Sequence, residues 1–137
     1  MRLDRLLTSL GDLPYLLTGC TAAILQGAPV PSEAVEIAVR WRDSAAFTRW
    51  LNSVYAQRWS ARWGEWGGLH PEPEEPGEHR WRTRHGVNRA AMSDEPPEPI
   101  EIRHGERIYR AVPLIEVELT DRRAAELLDR YRRRWAS

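Results

Sequence analysis

The residues that could do chemistry cluster near the N-terminus. Thr18, Gly19, Cys20 and Thr21 follow an apolar run, Tyr15-Leu16-Leu17, and precede an alanine-rich stretch. This is the pattern of a strand-to-helix turn, where a glycine lets the backbone approach an anion and the first N–H groups of a helix point outward. The four residues are therefore candidate phosphate ligands, although a glycine in such a turn is often only a steric requirement. Glu36 follows on Ala34-Val35-Glu36-Ile37-Ala38-Val39, whose alternation is that of a strand, and its carboxylate is either a half-exposed strand residue or a metal ligand. Cys20 reads as a small buried residue or as a thiol activated at a helix start. His70, His79, His85 and His104 have no metal-ligand spacing and no cysteine partners, so a zinc site is not expected. No nucleophile-elbow motif appears.

Composition narrows the classes further. With 20 basic and 20 acidic residues the formal charge is zero, so any attraction to a polyanion must be local. Every basic residue is an arginine, which excludes a Schiff-base lysine and a P-loop lysine. A single cysteine cannot form an internal disulfide and fits a reducing cytoplasm. Asp4 interrupts the N-terminus, no leader-like apolar segment follows it, and no run is long enough to span a bilayer. At 137 residues the chain is expected to be one domain, residues 1–137.

The elements that must position these residues follow in order. Leu3, Leu6, Leu7 and Leu10 form one stripe of a short helix ended by Gly11. Tyr15–Leu17 reads as a strand and Thr21–Gln26 as a helix stopped by Gly27, with Pro29 and Pro31 stiffening the link to the next strand. There Val35, Ile37, Val39 and Trp41 share the core face. Asp43 or Ser44 caps a helix with the stripe Phe47, Trp50, Leu51, Val54 and Tyr55. Trp59, Ala61 and Trp63 alternate as a strand, a reading that Gly64, Gly67 and Gly68 favour over a helix. His70–Glu78 should be an extended, solvated loop. Arg80, Arg82 and Arg84 alternate with Trp81, Thr83 and His85, giving a strand with one basic face. A polar, proline-rich loop covers Ser93–Pro99. Ile100–Val112 reads as a hairpin turning at His104-Gly105; a three-residue loop over His104-Gly105-Glu106 would set Ile102 opposite Ile108 and a two-residue loop would set it opposite Arg107, and matching apolar faces favour the first. The last helix is expected to start on Thr120 as its cap, with the stripe Ala124, Leu127, Leu128, Tyr131 and Trp135. Strand–helix–strand–helix order predicts α/β or α+β layering.

The turn Leu17-Thr18-Gly19-Cys20-Thr21-Ala22-Ala23, the link Gln26-Gly27-Ala28-Pro29-Val30-Pro31 and the strand Ala34-Val35-Glu36-Ile37 together resemble the nucleotidyltransferase superfamily. The likeness is to its minimal nucleotidyltransferases and abortive-infection toxin-like branch. It covers roughly the first third of the chain well. It implies a nucleotidyltransferase-like fold, a small mixed β-sheet with helices packed against it. In active members a strand bearing D-x-D binds two divalent ions that serve transfer of a nucleoside monophosphate. Carried over, the two aspartates fall on Ala34 and Glu36, and the serine or glycine of the phosphate turn falls on Cys20. Glu101 is the candidate third carboxylate, and Glu33 could substitute only if the chain before Ala34 is irregular.

The resemblance thus implies catalytic roles for Glu36 and Glu101, and metal ligation by Glu36, Glu101 and Glu33 with Mg²⁺ if the protein is active. Alanine at the first acid position supplies no oxygen to a hard cation. The expectation is a degenerate, non-catalytic protein that binds a protein or nucleotide-bearing partner. The alternative is an active Mg²⁺-dependent enzyme acting on an RNA or protein acceptor. A toxin–antitoxin setting, with a cognate toxin or antitoxin as partner, follows from the resemblance alone. Arg80, Arg82 and Arg84 are either a solvated face or contacts to phosphate or RNA. Trp59, Trp63 and Trp66 beside the acidic loop are the expected protein-binding face, since a core this small cannot bury all the indoles. No membrane partner is expected.

Overall fold

The computed structural model describes residues 2–28, 34–67 and 70–136. Glu33, Pro29, Pro31, Gly68 and the side chain of Trp135 lie outside the described residues. Along the chain run α1 (Arg2–Leu10), β1 (Leu16–Leu17), α2 (Gly19–Leu25) and β2 (Val35–Val39). A 3₁₀ turn at Trp41–Asp43 leads into α3 (Ser44–Ser53), then β3 (Gln57–Ser60), β4 (Glu65–Gly67), β5 (Gly77–Thr83) and β6 (Gly86–Met92). The chain closes with β7 (Ile100–His104), β8 (Arg107–Ala111), α4 (Leu114–Thr120) and α5 (Arg122–Ala136). The protein is mixed α/β, with both parallel and antiparallel strand pairs. These elements group into two compact units, one of Met1–Tyr15 with Ala38–Pro96 and one of Leu16–Ile37 with Pro97–Ser137.

In the first unit the strands run β4-β3-β5-β6, all antiparallel. One face is the core. The leucine stripe of α1 is buried as its spacing predicts, with Leu6, Leu7 and Leu10 inaccessible, and Gly11 stops the helix at φ +63. From α3, Phe47 stacks on Trp50 at 5.5 Å and meets Trp81 of β5 edge-on at 5.2 Å. Trp50 Nε1–H donates to Ser9 Oγ at 3.0 Å, which keeps the polar end of a buried indole paired. Asp43 makes no cap bond; its carboxylate accepts from Arg40 Nε at 2.8 Å instead. Tyr55 leaves the expected stripe, because α3 ends at Ser53 and Tyr55 turns to φ +55 with its ring exposed.

Two expectations for this unit are revised. The Trp59–Trp63 region is a hairpin, β3 and β4 joined through 61–64, with Trp63 on the turn and 69% exposed. The acidic loop is not wholly solvated: Pro71 and Pro73 are buried, and Trp81 Nε1–H donates to the Pro71 carbonyl at 2.7 Å. A buried indole needs an acceptor, and the proline-rich segment provides it.

In the second unit β1 lies beside β2 and pairs parallel with β8, Leu17 opposite Ala111, and β7 completes the order β2-β1-β8-β7. Leu17 and Ile37 are therefore on adjacent strands, and both are fully buried. The β7–β8 hairpin uses a two-residue turn, Gly105-Glu106, because Gly105 adopts φ +66. Ile102 consequently faces Tyr109, neither Ile108 nor Arg107, and it is Tyr109 that is buried while Ile108 stays exposed. The helix expected from Thr120 forms as α5 but starts at Arg122, and a separate helix, α4, precedes it. α4 ends on Thr120, and the cap of α5 is Asp121, whose Oδ1 accepts from Ala124 N–H at 2.9 Å. Gln26 ties α2 to the start of α4: its Nε2 donates to Val112 O at 2.9 Å and its Oε1 accepts from Leu114 N–H at 2.9 Å.

Candidate functional site

The turn that the sequence offers as a phosphate cradle lies in the second unit. Thr18 is extended (φ −131, ψ 177), and Gly19 then takes φ +54 to open α2. A residue with a Cβ is strained in that conformation. Thr18 makes no side-chain cap bond to the helix it precedes. Glu36, from the neighbouring strand, does that work. Its Oε2 accepts from Cys20 N–H at 2.7 Å, so a carboxylate already sits on the open donor of the turn. Placement of a negative charge at a helix start is favourable in itself.

Glu36 is held by its backbone as well. Its carbonyl accepts from Thr18 N–H at 2.9 Å, and its own N–H donates to Thr21 Oγ1 at 2.9 Å. The Thr21 hydroxyl donates in turn to the Ala34 carbonyl at 3.4 Å. Thr18, Cys20 and Thr21 therefore each contact the strand that carries Glu36, and the buried Thr21 side chain stitches α2 to it. Cys20 is itself buried.

A second carboxylate reaches the same place. An ideal Cβ added to Gly19 would lie 2.8 Å from Glu36 Oε2 and 2.8 Å from Asp121 Oδ2. Gly19 is thus required twice, for its positive φ and for the space that two carboxylates occupy. Asp121 did not stand out in the sequence. Its only mark was an acid directly before the charged helix Arg122-Arg123-Ala124-Ala125, which is a capping signal and says nothing of Gly19.

Glu101, the expected third acid, stands on β7 opposite Arg110, with both side chains exposed. Ala34 precedes β2 and offers a methyl group. Among the described residues no group of three or more His, Cys, Asp and Glu is arranged to hold a metal ion. Glu36 and Asp121 each have one oxygen committed to a backbone N–H, at Cys20 and Ala124. A divalent ion of the Mg²⁺ type takes six oxygens in near-ideal octahedral geometry.

The arginine and tryptophan candidates lie apart from this turn in the sequence, in the first unit, and four of them, Trp59, Trp66, Arg80 and Arg82, share one face of the sheet. Register puts Trp59 opposite Trp66, Arg80 opposite Arg89, and Gln57 opposite Arg82. Alternation then gathers Trp59, Trp66, Arg80, Arg82 and Arg89 on the face opposite the buried Trp81. The Arg80 guanidinium lies 5.0 Å above the Trp59 ring, and that of Arg82 lies 5.1 Å above Trp66. Arg84 follows in the β5–β6 turn with His85. Arg89 carried no sequence signal, since Gly86-Val87-Asn88-Arg89 lacks a clear alternation.

No helix among the described residues is long and apolar enough to cross a membrane. No protein-family model matches the chain, and neither the curated proteins nor the solved structures give a match.

Proposed function

We propose that this chain is a non-catalytic protein of nucleotidyltransferase-like layout that acts by binding a partner, a protein or a nucleotide-bearing ligand. One observation carries the reading: the Glu36 carboxylate takes the Cys20 N–H at 2.7 Å. A phosphate entering the turn would have to displace that carboxylate and approach a second one at Asp121. At the helix start this contact is a charge-assisted hydrogen bond, of the order of 1.5–3 kcal/mol, so the turn favours its own side chain over an external anion. Alanine at position 34 removes the other acid that the strand would carry in an active relative.

The test pairs the wild type with Ala34→Asp and Glu36→Ala in assays with labelled nucleoside triphosphates, Mg²⁺ and pooled RNA or protein acceptors. The expected result is no transfer by the wild type. Activity gained on Ala34→Asp would support a decayed site in an intact turn. Robust wild-type labelling that Glu36→Ala abolishes would overturn the proposal in favour of the active Mg²⁺-dependent nucleotidyltransferase.

A further inference from the structure

The outer face of the antiparallel sheet in the first unit carries cations and indoles in register. Arg80 and Arg89 are direct cross-strand neighbours on this face. Like charges placed directly opposite one another destabilise a sheet unless something answers them. Among the described residues no ion pair takes up Arg80, Arg82, Arg84 or Arg89. Besides lying over Trp66, the Arg82 guanidinium donates to the neutral Gln57 Oε1 and, among the described residues, to no carboxylate.

The nearby acids are drawn to the other side of the sheet. Trp81 and Arg58 are cross-strand partners on the core-side face, and His79 shares it by alternation. Trp81 holds the Pro71 carbonyl at 2.7 Å, Arg58 pairs with Glu74 at 3.2 Å, and the His79 ring meets the Glu75 carbonyl at 2.7 Å. The loop containing Glu72, Glu74 and Glu75 is thus anchored through three residues of that face. Among the described residues of these strands, Glu78 is the only acid that alternates onto the arginine face.

Trp59 and Trp66 lie edge to face at 5.2 Å, each with a guanidinium over its ring. On the β3–β4 turn Arg62 lies 5.0 Å above the exposed Trp63. Indole faces and planar guanidinium groups are the surfaces on which unpaired bases stack, while arginines at this spacing meet a phosphate backbone. We propose that this face binds single-stranded nucleic acid, with bases stacking on the Trp59–Arg80 and Trp66–Arg82 pairs and phosphates held by Arg80, Arg82, Arg84 and Arg89. An acidic protein segment would satisfy the charge but make no use of the two indole–guanidinium stacks. The proposal rests on the binding reading above only in that the chain acts by binding; it uses no residue of the Gly19 turn.

The test is fluorescence anisotropy of labelled 12-mer oligo(U) and oligo(dT) with the full chain, from 50 to 300 mM salt. Duplex DNA and polyglutamate serve as competitors. Binding should weaken with salt, with a slope of log Kobs against log salt of about −2 to −3, the value for three or four phosphates at roughly 0.7 each on a single strand. Arg80→Gln with Arg82→Gln should reduce the slope by about 1.4. Trp59→Leu keeps an apolar side chain but removes the stacking surface, and should weaken binding at least fivefold with the slope unchanged, as expected for loss of about one stacked base. Arg130→Gln, an exposed arginine of α5, should change nothing. Circular dichroism of each variant separates loss of binding from loss of fold.

No binding at 50 mM salt overturns the proposal. So does equal competition by polyglutamate with no effect of Trp59→Leu, which would make the face a docking surface for acidic protein. Failure here leaves the non-catalytic reading intact, because that reading is decided by nucleotide transfer at Glu36.

Discussion

Gly19→Ala is the sharpest probe of how the turn is built. The substitution meets two separate costs. The first is conformational, since an alanine at φ +54 sits in the left-handed region, a penalty of about 1–2 kcal/mol. The second is spatial, since the new methyl would lie 2.8 Å from both Glu36 Oε2 and Asp121 Oδ2. Both are ends of side chains, so they move aside. Moving Glu36 breaks its bond to Cys20 N–H, which costs about 1.5–3 kcal/mol for a charged acceptor. Gly105→Ala isolates the first cost within the same unit, because Gly105 has φ +66 and open space where a Cβ would go. At about 4 °C per kcal/mol for a chain of this length, Gly105→Ala should lower the midpoint by about 4–8 °C and Gly19→Ala by about 10–20 °C. Thermal melts and urea titrations followed by circular dichroism give both numbers. Glu36→Ala added to Gly19→Ala should cost less than the two changes taken separately, since the methyl then meets one carboxylate instead of two. Equal losses for Gly19→Ala and Gly105→Ala would refute the packing of carboxylates against the turn.

Two further predictions concern the first unit. Asn88 is fully buried opposite Trp81 with neither amide atom hydrogen-bonded, so Asn88→Leu, similar in shape and apolar, should raise stability by about 1–2 kcal/mol in urea titrations; a loss would show that the amide has a partner, such as bound water. Burial, followed by the charges of Arg84 and Arg5, holds the His85 imidazole below its ordinary value of 6.5. As pH falls the unfolded chain takes up that proton before the folded one does. The contribution of His85 is therefore complete above pH 6.5 and declines as the pH drops through 6.5 toward the lower folded value. The stability difference between wild type and His85→Gln, measured from pH 8 to pH 5, should shift against the wild type at the acid end, and parallel profiles would refute it.

What the sequence made legible was local. The leucine stripe of α1, the alternation of β2 and the arginine alternation of β5 each depend on residues two to four apart, and each element formed there, although Trp41 falls in the 3₁₀ turn instead of on the core face of β2 and Arg84 and His85 fall in the turn after β5. The failures arose where a distant partner decided the outcome. Thr120 has the side chain of a cap, but Asp121 has a hydrogen bond to Ala124 N–H and a place beside Gly19, and only the fold brings 19 and 121 together. Gly105 looked like one residue of a longer loop until its positive φ closed a two-residue turn and shifted the whole hairpin register by one. The same limit bears on function. Thr18-Gly19-Cys20-Thr21 has the composition of an anion cradle, and composition does not say which anion. Here the nearest one is a side chain of the same protein, sixteen residues along, and it converts a binding motif into a helix cap. Conversely, Trp59, Trp66, Arg80 and Arg82 read as two unrelated groups, one aromatic and one basic, because an acidic loop separates them in the chain. Strand pairing makes them one surface, and the loop that separates them is fastened to the opposite face. Chemistry that depends on convergence has to be read from register, and register is set by turns whose residues do none of the chemistry.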